Sequence, residues 1–247
     1  MDITGLLYVV IIQIIVIFLL FGFIFNGYYG FKILSKRKNS DLYEICDRLK
    51  SYMEVKAKIW ILIESPFMSY RNPTNLNVFT RMFKMFNTIS CTGPLFLVSQ
   101  QYPKLLNWSL AHEIAHIKYR DSMIINKLLH CSSSKVLKAV SVLIELRADV
   151  TGVKAARDTG LIVYSDLENI HKMLGENNPY FDGYPSNEDR IVFPEEYEEF
   201  CPELIDKIMM RICNELEIND PFAFSQEVIR IFTDIKFINV VKQMFKR

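Results

Sequence analysis

The sequence predicts a mainly α-helical protein with a small β-sheet, an α+β fold, behind one N-terminal transmembrane helix. The first observation is a continuous apolar run at residues 6–25, which is long enough to cross a bilayer. The second is a pair of segments, 107–120 and 135–157, in which apolar residues recur at helical spacing. The third is a set of short apolar runs before the first of these segments, which are typical of buried strands.

The apolar run at 6–25 is interpreted as a membrane anchor. At about 1.5 Å per residue it spans roughly 30 Å, the thickness of the hydrocarbon layer. A cleaved signal peptide is the alternative, but Asp2 stands where a basic region would precede it, and no A-x-A cleavage pattern follows. Basic side chains follow the span and none precedes it, so the rest of the chain is predicted to be cytoplasmic. These basic residues are Lys32, Lys36, Arg37 and Lys38.

Length and composition fit a single-pass membrane protein with one further domain. The chain has 247 residues, and we assign the anchor with its basic flank to residues 1–40 and a domain of about 200 residues to 41–247. A formal net charge of +1 without a basic stripe argues against a nucleic-acid partner. The lipid bilayer is an expected partner because of the predicted anchor. The five cysteines are scattered without a C-x-x-C pair, which indicates reduced thiols.

The first part of the domain alternates predicted helix and strand. The segment Asn39-Ser40-Asp41 is predicted to cap a helix, in which the apolar residues Leu42, Ile45, Leu49 and Tyr52 recur at helical spacing. Strands are predicted at 60–63, 77–82, 88–91 and 94–98. A sheet edge beside the next helix would offer backbone groups to an extended peptide, and the sequence leaves open which strand forms that edge. Near the other end of the chain, Asp220 and Pro221 mark the start of the last helical region.

Residues 110–116, Leu-Ala-His-Glu-Ile-Ala-His, contain the motif H-E-x-x-H within a helical pattern. His112 and His116 are one turn apart on the same helix face, so both imidazoles can bind one metal ion. Glu113 lies on a neighbouring face, which suits removal of a proton from a metal-bound water better than metal binding. A chance match is the alternative, because about 1% of chains of this length would contain the motif at random.

A catalytic zinc site needs a third protein ligand and an open fourth position. Glu145 can supply the ligand, and Asp149 shares its helix face at the i, i+4 spacing. Asp149 can accept a hydrogen bond from the second nitrogen of a ligand histidine and so fix its tautomer. Ala148 and Gly152 are small, which would let this helix approach the H-E-x-x-H helix closely. The alternative is that Glu145 and Asp149 belong to a solvated, charged helix face.

These motifs resemble those of the membrane zinc metallopeptidases that include HtpX and the CaaX prenyl proteases. That family pairs H-E-x-x-H with a later E-x-x-A-D-x-x-G. The second motif is complete here and consists of Glu145, Ala148, Asp149 and Gly152. A third family motif, H-P-x-x-x-x-R, is matched at Pro185 and Arg190, but Tyr184 replaces its histidine. The resemblance spans about residues 60–191 and does not extend to the residues after Pro194.

The resemblance implies a gluzincin-type metallopeptidase domain with its active site near the membrane. It implies one zinc ion per chain, bound by His112, His116 and Glu145. It also implies endoproteolysis by a zinc-activated water, with Glu113 as the general base. Asp149 is expected to support a ligand histidine from behind.

Two further roles implied by the resemblance fall on residues after the zinc ligands. Arg190 would support the site or stabilise the developing oxyanion. The histidine that Tyr184 replaces is thought to donate a hydrogen bond to that oxyanion, and a phenol hydroxyl can do the same. Two alternatives stay open: His171 takes this role in place of Tyr184, or Tyr184 is only a packed loop aromatic.

The predicted function is therefore that of a membrane-anchored zinc endopeptidase acting on protein or peptide substrates, including membrane-associated ones. A catalytically silent membrane adaptor that retains the fold is the alternative from a different class. The intact base Glu113 argues against a catalytically silent protein, whereas the replacement of the family histidine by Tyr184 favours one. A zinc hydrolase with a substrate other than a peptide is the third hypothesis.

Overall fold

The computed structural model describes residue 13 and residues 30–65, 74, 76–82, 87–121, 129, 132–174, 180–235, 240 and 243–244. In this part of the chain it contains eight helices and a four-stranded sheet, which confirms the predicted α+β class. A search of the same residues finds no helix that combines the length and the apolar character needed to cross a membrane. Apart from Gln13, the predicted span at 6–25 lies outside the described residues.

Among the described strands, the sheet has two edges, and one of them packs on the helix with the H-E-x-x-H motif. Its strands are β1 (Phe31–Ile33), β2 (Ile59–Glu64), β3 (Val78–Met82) and β4 (Asn87–Cys91). Their order is β1-β2-β4-β3, with β2 and β4 parallel and the other pairs antiparallel. The strand β3 is the edge that contacts this helix. This settles the question that the sequence left open.

The strands predicted at 60–63, 77–82 and 88–91 are confirmed as β2, β3 and β4. The strand β1 lies before residue 41, within the segment assigned to the anchor and its basic flank. Its Phe31 pairs with Glu64 of β2, so the sheet includes part of that segment.

The eight helices of the described residues pack on the sheet and on one another. They are α1 (Ser40–Tyr52), α2 (Gly93–Gln101), α3 (Pro103–Tyr119), α4 (Lys135–Asp158), α5 (Ser165–Leu174), α6 (Asn187–Glu196), α7 (Pro202–Glu215) and α8 (Pro221–Thr233). The two predicted central helices are thus confirmed as α3 and α4, which pack along each other. One apolar core joins α3 to α1, the sheet and the second half of α4. A second core joins the first half of α4 to α6, α7 and α8.

The strand predicted at 94–98 is wrong, because this segment forms the helix α2. Pro94 stands in the first helical turn, where its missing N–H is not needed and its fixed φ suits the helix. The backbone N–H of Gly93 donates to the buried carboxylate of Glu64 at 3.1 Å, which satisfies one of the free donors of that first turn. A short apolar run alone does not separate a buried strand from a buried helix.

Two helix starts test the predicted caps. At α1 the Asn39 side chain donates to the Ser35 carbonyl and makes no cap hydrogen bond to the helix. Of the predicted apolar positions of α1, Leu49 is fully buried and Leu42 and Ile45 pack on the core, whereas Tyr52 is exposed. At α8 the predicted start is confirmed, because the Asp220 carboxylate accepts from the backbone N–H of Ala223 at 3.0 Å. Local backbone geometry decides whether a side chain caps a helix, and the residue type only makes a cap more favourable.

Candidate metal centre

Two helices supply the side chains of the candidate centre, α3 with His112 and His116 and α4 with Glu145. The helix α3 is buried along most of its length, because it packs against both the sheet and α4. At Gly152 the helices touch, since a Cβ added there would lie 2.8 Å from the backbone nitrogen of His112. Only hydrogen fits in this space, which confirms the close approach predicted from the small residues of α4.

The three predicted ligand side chains converge in a buried position. The Nε2 atoms of His112 and His116 are 3.0 Å apart. The Glu145 carboxylate lies 3.3 Å from the His112 Nε2 and 3.8 Å from the His116 Nε2. All three residues are buried, and together they could hold a metal ion.

The chemistry of these atoms fits a bound cation. Both Nδ1 atoms face carboxylates, so the proton of each neutral imidazole belongs on Nδ1 and both Nε2 lone pairs face the centre. With the Glu145 carboxylate, this brings three acceptors together, and acceptors at such distances repel unless a cation lies among them. Around tetrahedral zinc, with ligand nitrogens about 2.0–2.1 Å from the ion, neighbouring ligand atoms are about 3.3 Å apart. The observed separations of 3.0, 3.3 and 3.8 Å lie on both sides of that value.

His112 is held from behind by the predicted partner, Asp149. The Asp149 Oδ1 lies 2.8 Å from the His112 Nδ1. The same carboxylate accepts two hydrogen bonds from the guanidinium of Arg190, from Nε at 2.8 Å and from Nη2 at 2.9 Å. Arg190 is therefore directed at Asp149, and it acts on the predicted ligand His112 only through that carboxylate.

His116 has a matching arrangement that the sequence did not reveal. Its Nδ1 lies 2.9 Å from the Asp121 Oδ2, and the Asp121 Oδ1 accepts from the Arg147 Nη2 at 2.6 Å. Asp121 reaches this position because Arg120 ends α3 in the left-handed conformation, with φ of 58°. The Asp121 N–H then bonds to the His116 carbonyl at 3.0 Å, as in a Schellman turn.

Glu113, the predicted base, is buried beside the edge strand β3. Its carboxylate accepts a hydrogen bond from the hydroxyl of Thr80 on that strand. A carboxylate held by one hydroxyl keeps lone pairs available to accept a proton. The structure thus places an oriented carboxylate on the helix that carries both histidines.

Tyr184 lies in a tight turn close to the charges of the centre. The turn is closed by a 2.7 Å hydrogen bond from the Tyr180 N–H to the Tyr184 carbonyl, and Gly183 has φ of 77°. Burial, and after it the negative charge of Glu145, raises the pKa of the Tyr184 phenol to about 12. The phenol therefore keeps its proton near neutral pH and can act as a hydrogen-bond donor.

Trp108 contacts His112, His171 and Arg190 with its ring. It stacks on the imidazole of His112 with centroids 5.5 Å apart and meets the His171 ring edge-on at 5.0 Å. The Arg190 guanidinium lies 5.1 Å from its centroid. His171 is buried, and within the described parts of the chain neither of its ring nitrogens has a hydrogen-bond partner. Burial, together with the positive charge of Arg190, lowers the pKa of His171 to about 3, so this ring is neutral.

The carboxylates around the centre favour positive charge on its histidines. Burial opposes that charge, but the carboxylates of Asp149 and Glu145 prevail and raise the pKa of His112 to about 10. For Glu145, burial favours the neutral acid, but the hydrogen bond with His112 and the charge of His116 lower its pKa to about 2. The metal-free centre thus attracts protons where a cation would otherwise sit.

This shift predicts how the stability of the metal-free protein depends on pH. His112 ordinarily titrates near 6.5, so its stabilising charge is fully present below that pH and is lost as pH rises towards 10. In the presence of a chelator, we expect the unfolding temperature to fall between pH 7 and pH 10. Thermal unfolding followed by circular dichroism would measure this. Asp149→Asn should flatten the slope, and an equal slope in both proteins would contradict the assignment to His112.

His112, Glu113, His116, Glu145 and Asp149 are all buried around one point, with Arg190 and Tyr184 beside them. His130 lies outside the described residues. The residues that sequence reasoning missed are Thr80, Trp108, Asp121 and Arg147. None of these belongs to a motif. Trp108 lies one helical turn before His112 on α3, so the i, i+4 spacing could have indicated it. Thr80, Asp121 and Arg147 reach the centre only through the turn after α3 and the packing of α3 on β3 and α4.

Comparisons with protein-family models, with curated proteins and with solved structures gave no match. The function of the chain is therefore inferred from the geometry of its own side chains.

Proposed function

We propose that the chain is a zinc-dependent endopeptidase, anchored in a membrane by its N-terminal segment. The observation that carries this proposal is the convergence of His112, His116 and Glu145 in a buried cluster beside the carboxylate of Glu113. By its motifs, the domain would be of the gluzincin type and related to HtpX and the CaaX prenyl proteases.

The proposed cofactor is one zinc ion per chain, held by His112, His116 and Glu145. Two imidazole nitrogens and a carboxylate are a common ligand set of catalytic zinc. When bound, zinc supplies a Lewis acid that lowers the pKa of water and polarises a carbonyl group. Asp149 and Asp121 would hold the two imidazoles in the tautomer that this ligand set requires.

Glu113 would act as the general base. Its carboxylate would take a proton from the attacking water and then give it to the amine that leaves. The hydroxyl of Thr80 restricts the orientation of this carboxylate, since it donates to one of the two oxygens. The other oxygen then remains available for the proton.

Tyr184 would donate a hydrogen bond to the oxyanion of the tetrahedral intermediate. Its raised pKa keeps the donor proton in place. Arg190 is proposed as a supporting residue, because both of its hydrogen bonds to the centre go to Asp149. Of the two roles expected for Arg190, the geometry favours support over direct oxyanion stabilisation.

The edge strand β3 (Val78–Met82) would bind the substrate backbone. It pairs with β4 along one side, and Thr80 in its middle reaches Glu113. An extended peptide added to the other side of β3 would run past the base, with its backbone groups paired to the strand. This arrangement selects unfolded segments and depends little on their side chains.

Metal content and cleavage by the full-length chain test the proposal together. The full chain is needed because β1 lies before residue 41 and belongs to the sheet. We expect about one zinc per chain by elemental analysis, and chelator-sensitive cleavage of casein. Zinc without any cleavage would favour the silent adaptor, and cleavage of non-peptide esters or amides alone would favour a different zinc hydrolase.

Glu145→Ala should lose most of the zinc, because only two protein ligands would remain. Glu198→Ala is a matched control, since this carboxylate pairs with Arg157 on the surface, away from the centre. Elemental analysis after dialysis would compare both variants with the wild type. Full zinc occupancy in Glu145→Ala would show that the third ligand lies elsewhere.

The proposed location is a membrane, with a single span and the catalytic domain in the cytoplasm. The basic residues after the apolar run at 6–25 support this orientation. A reporter fused to the C-terminus should therefore be active only if it functions in the cytoplasm. Activity of a reporter that requires the opposite side of the membrane would reverse the assignment.

A further inference from the structure

Each of the two ligand histidines contacts a carboxylate, which in turn contacts an arginine. The two series of contacts end on different helices. His112 leads to Asp149 and Arg190, and Arg190 lies over Trp108 of α3, the helix that carries His112 itself. The other series of contacts starts at His116 and continues to residues outside α3. It passes through Asp121 to Arg147 on α4 and ends at Phe232 of α8.

The guanidinium of Arg147 contacts two aromatic rings. It is 4.2 Å from the centroid of Tyr119, in the last turn of α3, and 4.9 Å from that of Phe232 in α8. Its Nη2 donates to Asp121 at 2.6 Å, whereas its buried Nε has no hydrogen-bond partner among the described residues. The position of this guanidinium therefore depends on the rings as well as on Asp121.

We propose that Arg147 is a positioning residue for His116, and that Phe232 couples helix α8 to the metal centre through it. This inference rests on the proposed metal site. The ring of Phe232 holds the guanidinium plane, the guanidinium holds one oxygen of Asp121, and the other oxygen of Asp121 holds the Nδ1–H of His116. Loss of any member leaves the next one freer to rotate, so that the His116 Nε2 spends less time directed at the metal.

The physical basis is the cost of an unsupported carboxylate. The Asp121 side chain is only 3% exposed, so without Arg147 its charge would have His116 as its main partner. An Asp121 carboxylate that is held at only one oxygen can rotate, and the His116 ring that it orients can then turn away from the metal position. Phe232 acts one step further away, through a cation–π contact that keeps the guanidinium in place.

Zinc affinity of the full-length chain, measured by competition with a chromophoric chelator, tests these links. Arg147→Ala should weaken zinc binding by about 10-fold, the lower end of the range for partners of metal ligands. Arg147→Lys keeps the charge but loses the planar stacking, so it should recover part of this affinity. Phe232→Leu keeps the apolar bulk and removes the ring, and we expect a loss of about 3-fold, typical of one cation–π contact.

The double variant separates coupling from general packing. If Phe232 acts through Arg147, Phe232→Leu should have no further effect on zinc affinity in the Arg147→Ala background. Additive losses in the double variant would overturn the proposal. Ile231→Val is the matched control, because Ile231 is a fully buried neighbour in α8 and makes no ring contact with Arg147. It should lower the unfolding temperature and leave zinc affinity within about 2-fold.

An equal loss of zinc affinity in Ile231→Val and Phe232→Leu would also overturn the proposal, since it would trace the effect to stability alone. The wild-type measurement distinguishes this failure from that of the proposed function. A wild-type chain that binds no zinc would contradict the metal site itself. A wild type that binds zinc, with Phe232→Leu and Arg147→Ala unchanged, would contradict only the coupling.

Discussion

Replacing Glu113 by glutamine should lower kcat for peptide cleavage by on the order of 100- to 10,000-fold, the usual contribution of a general base. Glutamine has nearly the same shape as glutamate and can still accept from Thr80 through its amide oxygen, but it cannot take the proton of the attacking water. We expect zinc content to stay near one per chain, because Glu113 is not one of the three converging ligand residues. Elemental analysis and casein cleavage would be measured on the same preparation.

Glu64→Gln is the matched control for this variant. It makes the same isosteric change at another buried carboxylate, which accepts from the start of α2. This control should lose some stability and keep its kcat. A Glu113→Gln enzyme that retains near wild-type kcat would remove Glu113 from the mechanism, whatever its zinc content.

Deleting the hydroxyl of Tyr184 is expected to have the second largest effect. Tyr184→Phe keeps the ring and its packing but removes the donor proposed for the oxyanion. The loss of one such donor lowers kcat by on the order of 100- to 1000-fold. KM and zinc content should change little, since the hydroxyl would act mainly in the transition state. Tyr184→His should restore part of the activity lost in Tyr184→Phe.

Tyr180→Phe tests whether such a loss is specific to Tyr184. Tyr180 belongs to the same turn, but its hydroxyl donates to the buried Asp189 of α6. This control should therefore lower the unfolding temperature and leave kcat close to the wild-type value. If Tyr184→Phe behaves like Tyr180→Phe, Tyr184 is a packed loop aromatic, and His171 or Arg190 becomes the next candidate donor.

The sequence was most informative where one physical pattern dominates a segment. The long helical periodicity at 107–120 and 135–157 predicted α3 and α4, and the spacing of their polar residues predicted which side chains share a face. The small residue Gly152 indicated correctly where these helices touch. Three strands were predicted because β-branched and apolar residues lie between turn formers.

Prediction failed where two patterns compete or where distance along the chain hides a contact. Residues 94–98 are short and apolar, which suits a strand, but Pro94 is also well suited to the first turn of a helix, and the helix formed. Asp121 reaches His116 only because Arg120 adopts a left-handed conformation, and an arginine in a sequence does not predict that conformation. Thr80 and Arg147 come close to the centre through packing between elements, and no local spacing encodes such contacts.

Gly152 has a consequence for any attempt to transplant this centre into another protein. The distance between α3 and α4 is set by their backbones at this point, since a Cβ at 152 would lie 2.8 Å from the His112 nitrogen and 2.9 Å from the Ala111 carbonyl carbon. Helix pairs separated by ordinary side chains lie about 8–10 Å apart. If the three ligands and the base were grafted onto such a helix pair, the residue types would be correct. The ligands on one helix would nevertheless lie too far from the ligand on the other to bind the same ion. A design that copies this centre therefore has to copy a residue without a side chain.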